Sequence, residues 1–178
     1  MDQIRDLLID ELGDLLHAEG QLVQALPELS AAAHHPKLKE AFEKHLQQTE
    51  RHTERLKAAF DILGEKPEPT PCKGMMGLIE EGKETIDAME EQEDLAADLS
   101  LIAAAQKVEH YEISGYGTAR CLARQIGERE VEKLLSHTLG EEESADFLLT
   151  EISKPILQEA TIVDNTGATP KIARAQKA

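Results

Sequence analysis

Two glutamates one helical turn apart, Glu109 and Glu112, sit inside the stretch Gln106-Lys107-Val108-Glu109-His110-Tyr111-Glu112. Leu101, Ile102, Ala105, Glu109, Glu112 and Tyr116 recur at helical steps and therefore share one helix face. That face is apolar at both ends and carboxylate in the middle. An ionised carboxylate buried without a partner is prohibitively costly, so its surroundings must supply protons, cations or a metal. Carboxylates joined by imidazole suit iron or manganese. A thiolate-rich zinc site is excluded, because the two cysteines, Cys72 and Cys121, show no zinc-ligand spacing.

Three more segments repeat the pattern. Leu8, Leu12, Leu15, Glu19, Leu22 and Leu26 form a bundle-facing stripe with Glu19 at its centre. In the next segment Leu38, Phe42, Leu56 and Phe60 are apolar, and His45, Thr49 and His52 interrupt the same seam. The last stripe runs Leu135, Leu139, Glu142, Leu149 and Ile152; Asp146 lies one turn beyond Glu142, while Glu143 is rotated about 100° away. Glu50 and Glu54 are placed further round and solvated.

These residues require four long helices, predicted over about 2–33, 36–63, 95–126 and 128–160. Pro27 is expected to kink or end the first and Pro155 to bend the last. Pro36 suits a first helical position, and Gly127 a stop. Gly115 and Gly117 permit close backbone approach. Three prolines in Pro67-Glu68-Pro69-Thr70-Pro71 exclude a helix interior and open a long crossover, with a short helix over about 74–91. Its methionines, Met75, Met76 and Met89, read as packing. A crossover of this length lets the second and third long helices run parallel. After Ala160 the residues turn small and polar, so the expectation is a bundle over 1–160 and a flexible, weakly basic tail over 161–178.

The composition agrees. Ala, Leu, Glu, Lys and Gln dominate, aromatics are 3% and Trp is absent, as in an all-helical domain. One domain suits 178 residues. A net charge of -16 argues against nucleic acid or an anionic membrane as partner. No apolar run approaches the roughly 20 residues of a membrane span. The first residues resemble no signal peptide, and the two cysteines read as reduced thiols, so the expected compartment is the cytoplasm.

The halves also look related. Aligning Leu46 with Leu139 shifts the chain by 93 positions and pairs Thr49 with Glu142; Glu19 and Glu109 lie 90 positions apart. Two similar helix pairs joined by a long crossover describe a ferritin-like four-helix bundle, in which every helix contributes carboxylate or histidine to a central dinuclear site.

Leu15-Leu16-His17-Ala18-Glu19-Gly20-Gln21-Leu22, Met76-Gly77-Leu78-Ile79-Glu80-Glu81 and Ala104-Ala105-Gln106-Lys107-Val108-Glu109-His110-Tyr111-Glu112-Ile113-Ser114-Gly115-Tyr116-Gly117-Thr118 resemble the YciE/YciF stress-protein family. Thr138-Leu139-Gly140-Glu141-Glu142-Glu143-Ser144-Ala145-Asp146 fits the same family. The resemblance spans roughly residues 2 to 160, and Val-Glu-His-Tyr-Glu is its most specific part. It implies a ferritin-like fold, a di-iron-type site, a homodimer and expression linked to stress. Glu109 and Glu112 resemble the carboxylate pair on the third helix of rubrerythrin-like sites.

Two departures stand out. The Glu-x-x-His pattern of such sites is incomplete: Thr49 precedes His52 where Glu is usual, and Ala145 follows Glu142 where His is usual. Gln47 and Gln48 also stand where the family commonly has glutamates. Asp146 is the expected substitute for the missing ligand. The expected metal set is thus Glu19, His52, Glu109, Glu112, Glu142 and Asp146, with Glu109 or Glu142 bridging two ions, iron by preference and manganese as the alternative. Oxygen or peroxide is the expected small-molecule substrate, in a ferroxidase or peroxide-consuming oxidoreductase. The alternatives are a metal binder without turnover and a structural helical dimer, whose carboxylates share protons or pair with Lys107, Arg120 or Arg124. Tyr111 and Tyr116 are expected to pack, with their hydroxyls satisfied.

Overall fold

The breaks in the chain fall where backbone chemistry demands them. A computed structural model describes residues 2–167. Its helices are α1 (Asp2–Ala32), α2 (Pro36–Leu63), α3 (Lys73–Ala88), α4 (Asp94–Ile126) and α5 (Arg129–Thr166), with a 3-10 turn at Met89–Glu91; the described residues contain no strand. Pro36 opens α2, and the His35 side chain caps it by accepting from the Lys37 N–H at 3.2 Å. The buried Asp98 carboxylate, reaching across from α4, accepts the backbone N–H groups of His34 and His35 at 2.8 Å each and ties down the first turn. Gly64 and Gly127 end α2 and α4 in the left-handed region, at φ 71 and φ 86, where a side chain would be strained.

One expectation about helix ends needs correction, and one of two alternatives falls away. Pro27 neither ends α1 nor shortens it, for the helix continues to Ala32. Pro27 is exposed, so the carbonyl one turn back that loses its donor can be hydrated. The last helix runs past Ala160 to Thr166. Along its polar end Thr161, Asn165 and Thr166 bond back to the carbonyls of Leu157, Thr161 and Ile162. The expected tail beyond that, at 168–178, lies outside the described residues.

The long helices form two hairpins, α1 with α2 and α4 with α5. The first hairpin packs on the second through α1 against α4 and α2 against α5, so the order round the bundle is α1, α2, α5, α4. The crossover lies over the α1–α4 side, pinned by the Thr70 N–H on the Gly13 carbonyl at 2.9 Å. Leu38 and Phe42 near the start of α2 share a core with Leu95 and Leu101 near the start of α4. Leu56 and Phe60 share the other core with Ala119 and Ala123, so α2 and α4 run parallel. Met75 and Met89 are buried in packing, as expected, whereas Met76 is exposed.

The core is therefore in two pieces, and the gap between them holds the functional interest. One piece includes Leu22, Phe42, Leu101 and Leu149; the other includes Leu15, Leu56, Tyr116 and Leu139. Each large apolar side chain given up in the gap forgoes roughly 1.5–3 kcal/mol of burial. Something must repay a polar layer in that position.

Candidate metal centre

Each long helix turns the same short window of its inner face into this layer. Helix α1 supplies Glu19 between Leu15 and Leu22. Helix α2 supplies His45, Thr49 and His52, α4 supplies Glu109 and Glu112, and α5 supplies Glu142; all seven are buried. Their i, i+3, i+4 spacing places them on the core side of helices whose flanking residues are apolar, so burying the flanks buries them too.

Two groups of donors result. One ligand atom from each of His45, Glu109, Glu112 and Glu142 lies within 4.8 Å of the others, and Glu19, His52 and Glu142 meet the same limit. Glu142 belongs to both. His52 Nδ1 is 3.2 Å from Glu19 Oε1 and 2.8 Å from Glu142 Oε1, close enough for attraction but without hydrogen-bond geometry. His45 Nε2 is 3.4 Å from Glu109 Oε1 and 3.6 Å from Glu142 Oε2. Tyr116 donates its hydroxyl to Glu19 Oε1. Gly115, one residue before it, lets α1 approach, because a Cβ there would meet Leu15 Cδ2 at 2.8 Å.

The electrostatics are those of a site short of cations. Burial raises the Glu109 and Glu112 carboxyls well above their usual range, and the neighbouring carboxylates raise them further. Glu19 is pushed up to about 7 by burial, with the Glu142 charge adding to it and His52 and Tyr116 opposing. Burial works against a charged His52, yet its contacts with Glu142 and Glu19 win and hold its proton up to about 10. Burial lowers the pKa of His45. Both oxygens of Glu112 and of Glu142, one each of Glu19 and Glu109, and both ring nitrogens of His45 have no hydrogen-bond partner. Buried polar atoms are normally satisfied, so this concentration of orphans in one layer calls for a ligand.

Divalent cations fit that need. The buried carboxylates Glu19, Glu109, Glu112 and Glu142 would together balance two such ions, with His45 and His52 as neutral donors. Outside the layer, His52 Nε2 contacts Glu141 Oε2 at 3.0 Å, and Arg55 bridges that carboxylate and the Thr138 hydroxyl. Burial raises the Glu141 pKa, but Arg55 and His52 overcome this and hold it down at about 2. An imidazole facing donors on one side and a carboxylate on the other has its orientation set, as outer partners of metal-binding histidines commonly arrange.

Of the residues picked out from the sequence, Glu19, His52, Glu109, Glu112 and Glu142 converge. Asp146 does not join them. It accepts the Gln106 amide at 2.9 Å and lies 3.5 Å from the exposed His110, on the α4 side of α5. His45 stands inside the layer instead. It shares one seam with Thr49 and His52, a signal readable in the sequence; Asp146 is the expected substitute only because Ala145 stands where an imidazole is usual. Glu141 carried no such signal, because its role depends on how α2 and α5 are rotated against each other. Lys107 is taken by Glu81, and Arg124 by Glu132, so neither neutralises the central carboxylates.

Comparison with known proteins accords with this architecture. A family model described as a domain of unknown function (DUF892) matches residues 3–162. Protein YciF of Escherichia coli strain K12 is 44% identical over 154 residues, covering 86% of this chain and 92% of YciF. The crystal structure of the E. coli stress protein YciF superposes with a TM-score of 0.84 at 41% identity, over 89% of this chain and 99% of that one. YcfI from Rhodopseudomonas palustris gives 0.79 at 37% identity, over 83% and 92% of the two chains. Among the described residues no helix is long and apolar enough to cross a membrane. A matched family model over nearly the whole helical region, and the same bundle in relatives of this identity, place the chain in the DUF892 family, among its YciF-like members.

Proposed function

We propose that this chain is a ferritin-like dinuclear carboxylate protein, with iron as the metal by preference and manganese as the alternative, that serves under stress by oxidising iron or consuming peroxide. The observation that carries the reading is the set of buried carboxylate and imidazole atoms without hydrogen-bond partners, converging from all four long helices on two neighbouring points. Glu142 belongs to both donor groups; with it, Glu19 and His52 would hold one ion, and His45, Glu109 and Glu112 the other. Asp146 drops out of the expected set in favour of His45, given its engagement with Gln106.

Bound ferrous ions would supply electron transfer: two electrons, with two protons, reduce one hydrogen peroxide to two waters. The protein's share is geometric and electrostatic. Glu142 would join the two positions, Tyr116 orients Glu19 through its hydroxyl, and Glu141 orients His52. The apolar cores on either side exclude bulk water from the layer.

Elemental analysis after anaerobic loading with ferrous iron tests the reading. About two irons per chain, falling sharply in Glu109→Ala, is expected. No retained iron or manganese, together with melting behaviour indifferent to metal and chelator, would overturn it in favour of a structural bundle.

A further inference from the structure

The bundle has a gap leading to one half of the layer. A groove between α2 and α5, with about 60 Å³ of space for water-sized molecules, has buried His45 and Glu109 among its lining residues. Its walls are Ala41 and Phe42 from α2 and Ala145 and Leu149 from α5, and Lys44 and Ser144 stand at its rim. The opening has a cause in the sequence. Ala145 occupies the position three after Glu142 where a Glu-x-x-His pattern would place an imidazole, and Ala41 faces the same space with an equally short side chain. Two other approaches are covered. The crossover covers the α1–α4 side, and Arg55, Glu141 and Thr138 close the α2–α5 seam on the His52 side.

We infer that this groove is the port through which a small neutral oxidant reaches the His45 half of the layer, and that Ala145 sets its width. The inference rests on the metal-centre reading and adds to it the route and the size of the substrate. One water needs roughly 15 Å³ of such space, so a groove of this volume admits dioxygen or hydrogen peroxide and turns away bulky organic peroxides. The exposed wall is mostly apolar, from Ala41, Phe42, Ala145 and Leu149, with Gln48 and Glu141 beside them, so it favours uncharged traffic.

Filling the gap from either side tests this, with Ala145→Leu on α5 and Ala41→Leu on α2 as independent variants. In ferrous-loaded protein, each is expected to keep the wild-type iron content and melting temperature while oxidation by hydrogen peroxide or by dioxygen slows about tenfold or more. Whichever oxidant is slowed is the one that uses the groove. Iron content and oxidation rates both unchanged in a folded variant would overturn the port. A second readout needs no metal: xenon is expected to occupy the groove in wild-type protein under pressure and to be lost from Ala145→Leu. Absence of xenon from the wild-type groove would also overturn the inference. If xenon binds but wild-type protein retains no iron, the metal-centre reading has failed, and the assignment of an oxidant to the groove falls with it.

Discussion

Around His52 the buried layer is braced from outside. Nε2 of the ring meets Glu141, Arg55 neutralises Glu141, Thr138 receives Arg55, and Tyr116 holds Glu19. Around His45 there is no such chain of partners: both ring nitrogens and both Glu112 oxygens lack hydrogen bonds, and the groove between α2 and α5 begins there. Both halves draw on Glu142. The contrast teaches that burial alone does not define a site. One half has its polar atoms oriented by outside partners; the other leaves them without hydrogen bonds beside an open groove.

The shared residue is the place to break the comparison hardest. Glu142→Ala is expected to cut retained iron at both positions, about tenfold or more in affinity, by elemental analysis and by titration; loss from one half only would show that Glu142 is not shared. Next comes the pH dependence of the metal-free protein. The folded state holds the His52 proton up to about 10 and the Glu19 proton up to about 7, above their ordinary values of 6.5 and 4.5. The folded form therefore binds more protons than the unfolded, and stability falls as pH rises. His45, lowered by burial, opposes this only around and below its ordinary 6.5. Denaturant midpoints of metal-free protein should fall between pH 7 and pH 10, and saturating metal should flatten the trend. A midpoint that rises over that interval would contradict the assignment.

Glu112→Gln separates stability from binding. Removing a buried carboxyl whose ionisation folding disfavours should raise metal-free stability by about 1–3 kcal/mol in chemical denaturation, while weakening the His45 half for metal. Glu141→Gln should sharpen the contrast more gently, loosening metal at the His52 half by about tenfold in titration and leaving the His45 half unchanged. Equal loss at both halves would mean that Glu141 steadies the bundle rather than His52. The smallest effect belongs to Asp146→Asn, expected to leave metal content unchanged and to shift stability by no more than about 0.5 kcal/mol.

Much of this molecule was legible as periodicity. Stripes of Leu, Ala and Phe at helical spacing located α1, α2, α4 and α5, and the carboxylates and imidazoles that interrupt those stripes are the ones that converge. Pro36 and Gly127 marked helix ends because backbone geometry is a local matter. Local rules misled along the polar end of α5, where small polar residues stay helical to Thr166.

From the sequence alone came the helices, their inner faces, and the presence of buried charge needing a counter-charge, because each follows from spacing along a single chain. Tertiary structure alone decided that His45 rather than Asp146 enters the layer, that Glu141 with Arg55 braces His52, and that Ala145 opens a groove. These depend on how far each helix is turned about its own axis against its neighbours. Residues adjacent in sequence differ by about 100° around a helix, so a modest rotation exchanges a donor facing the layer for one facing Gln106.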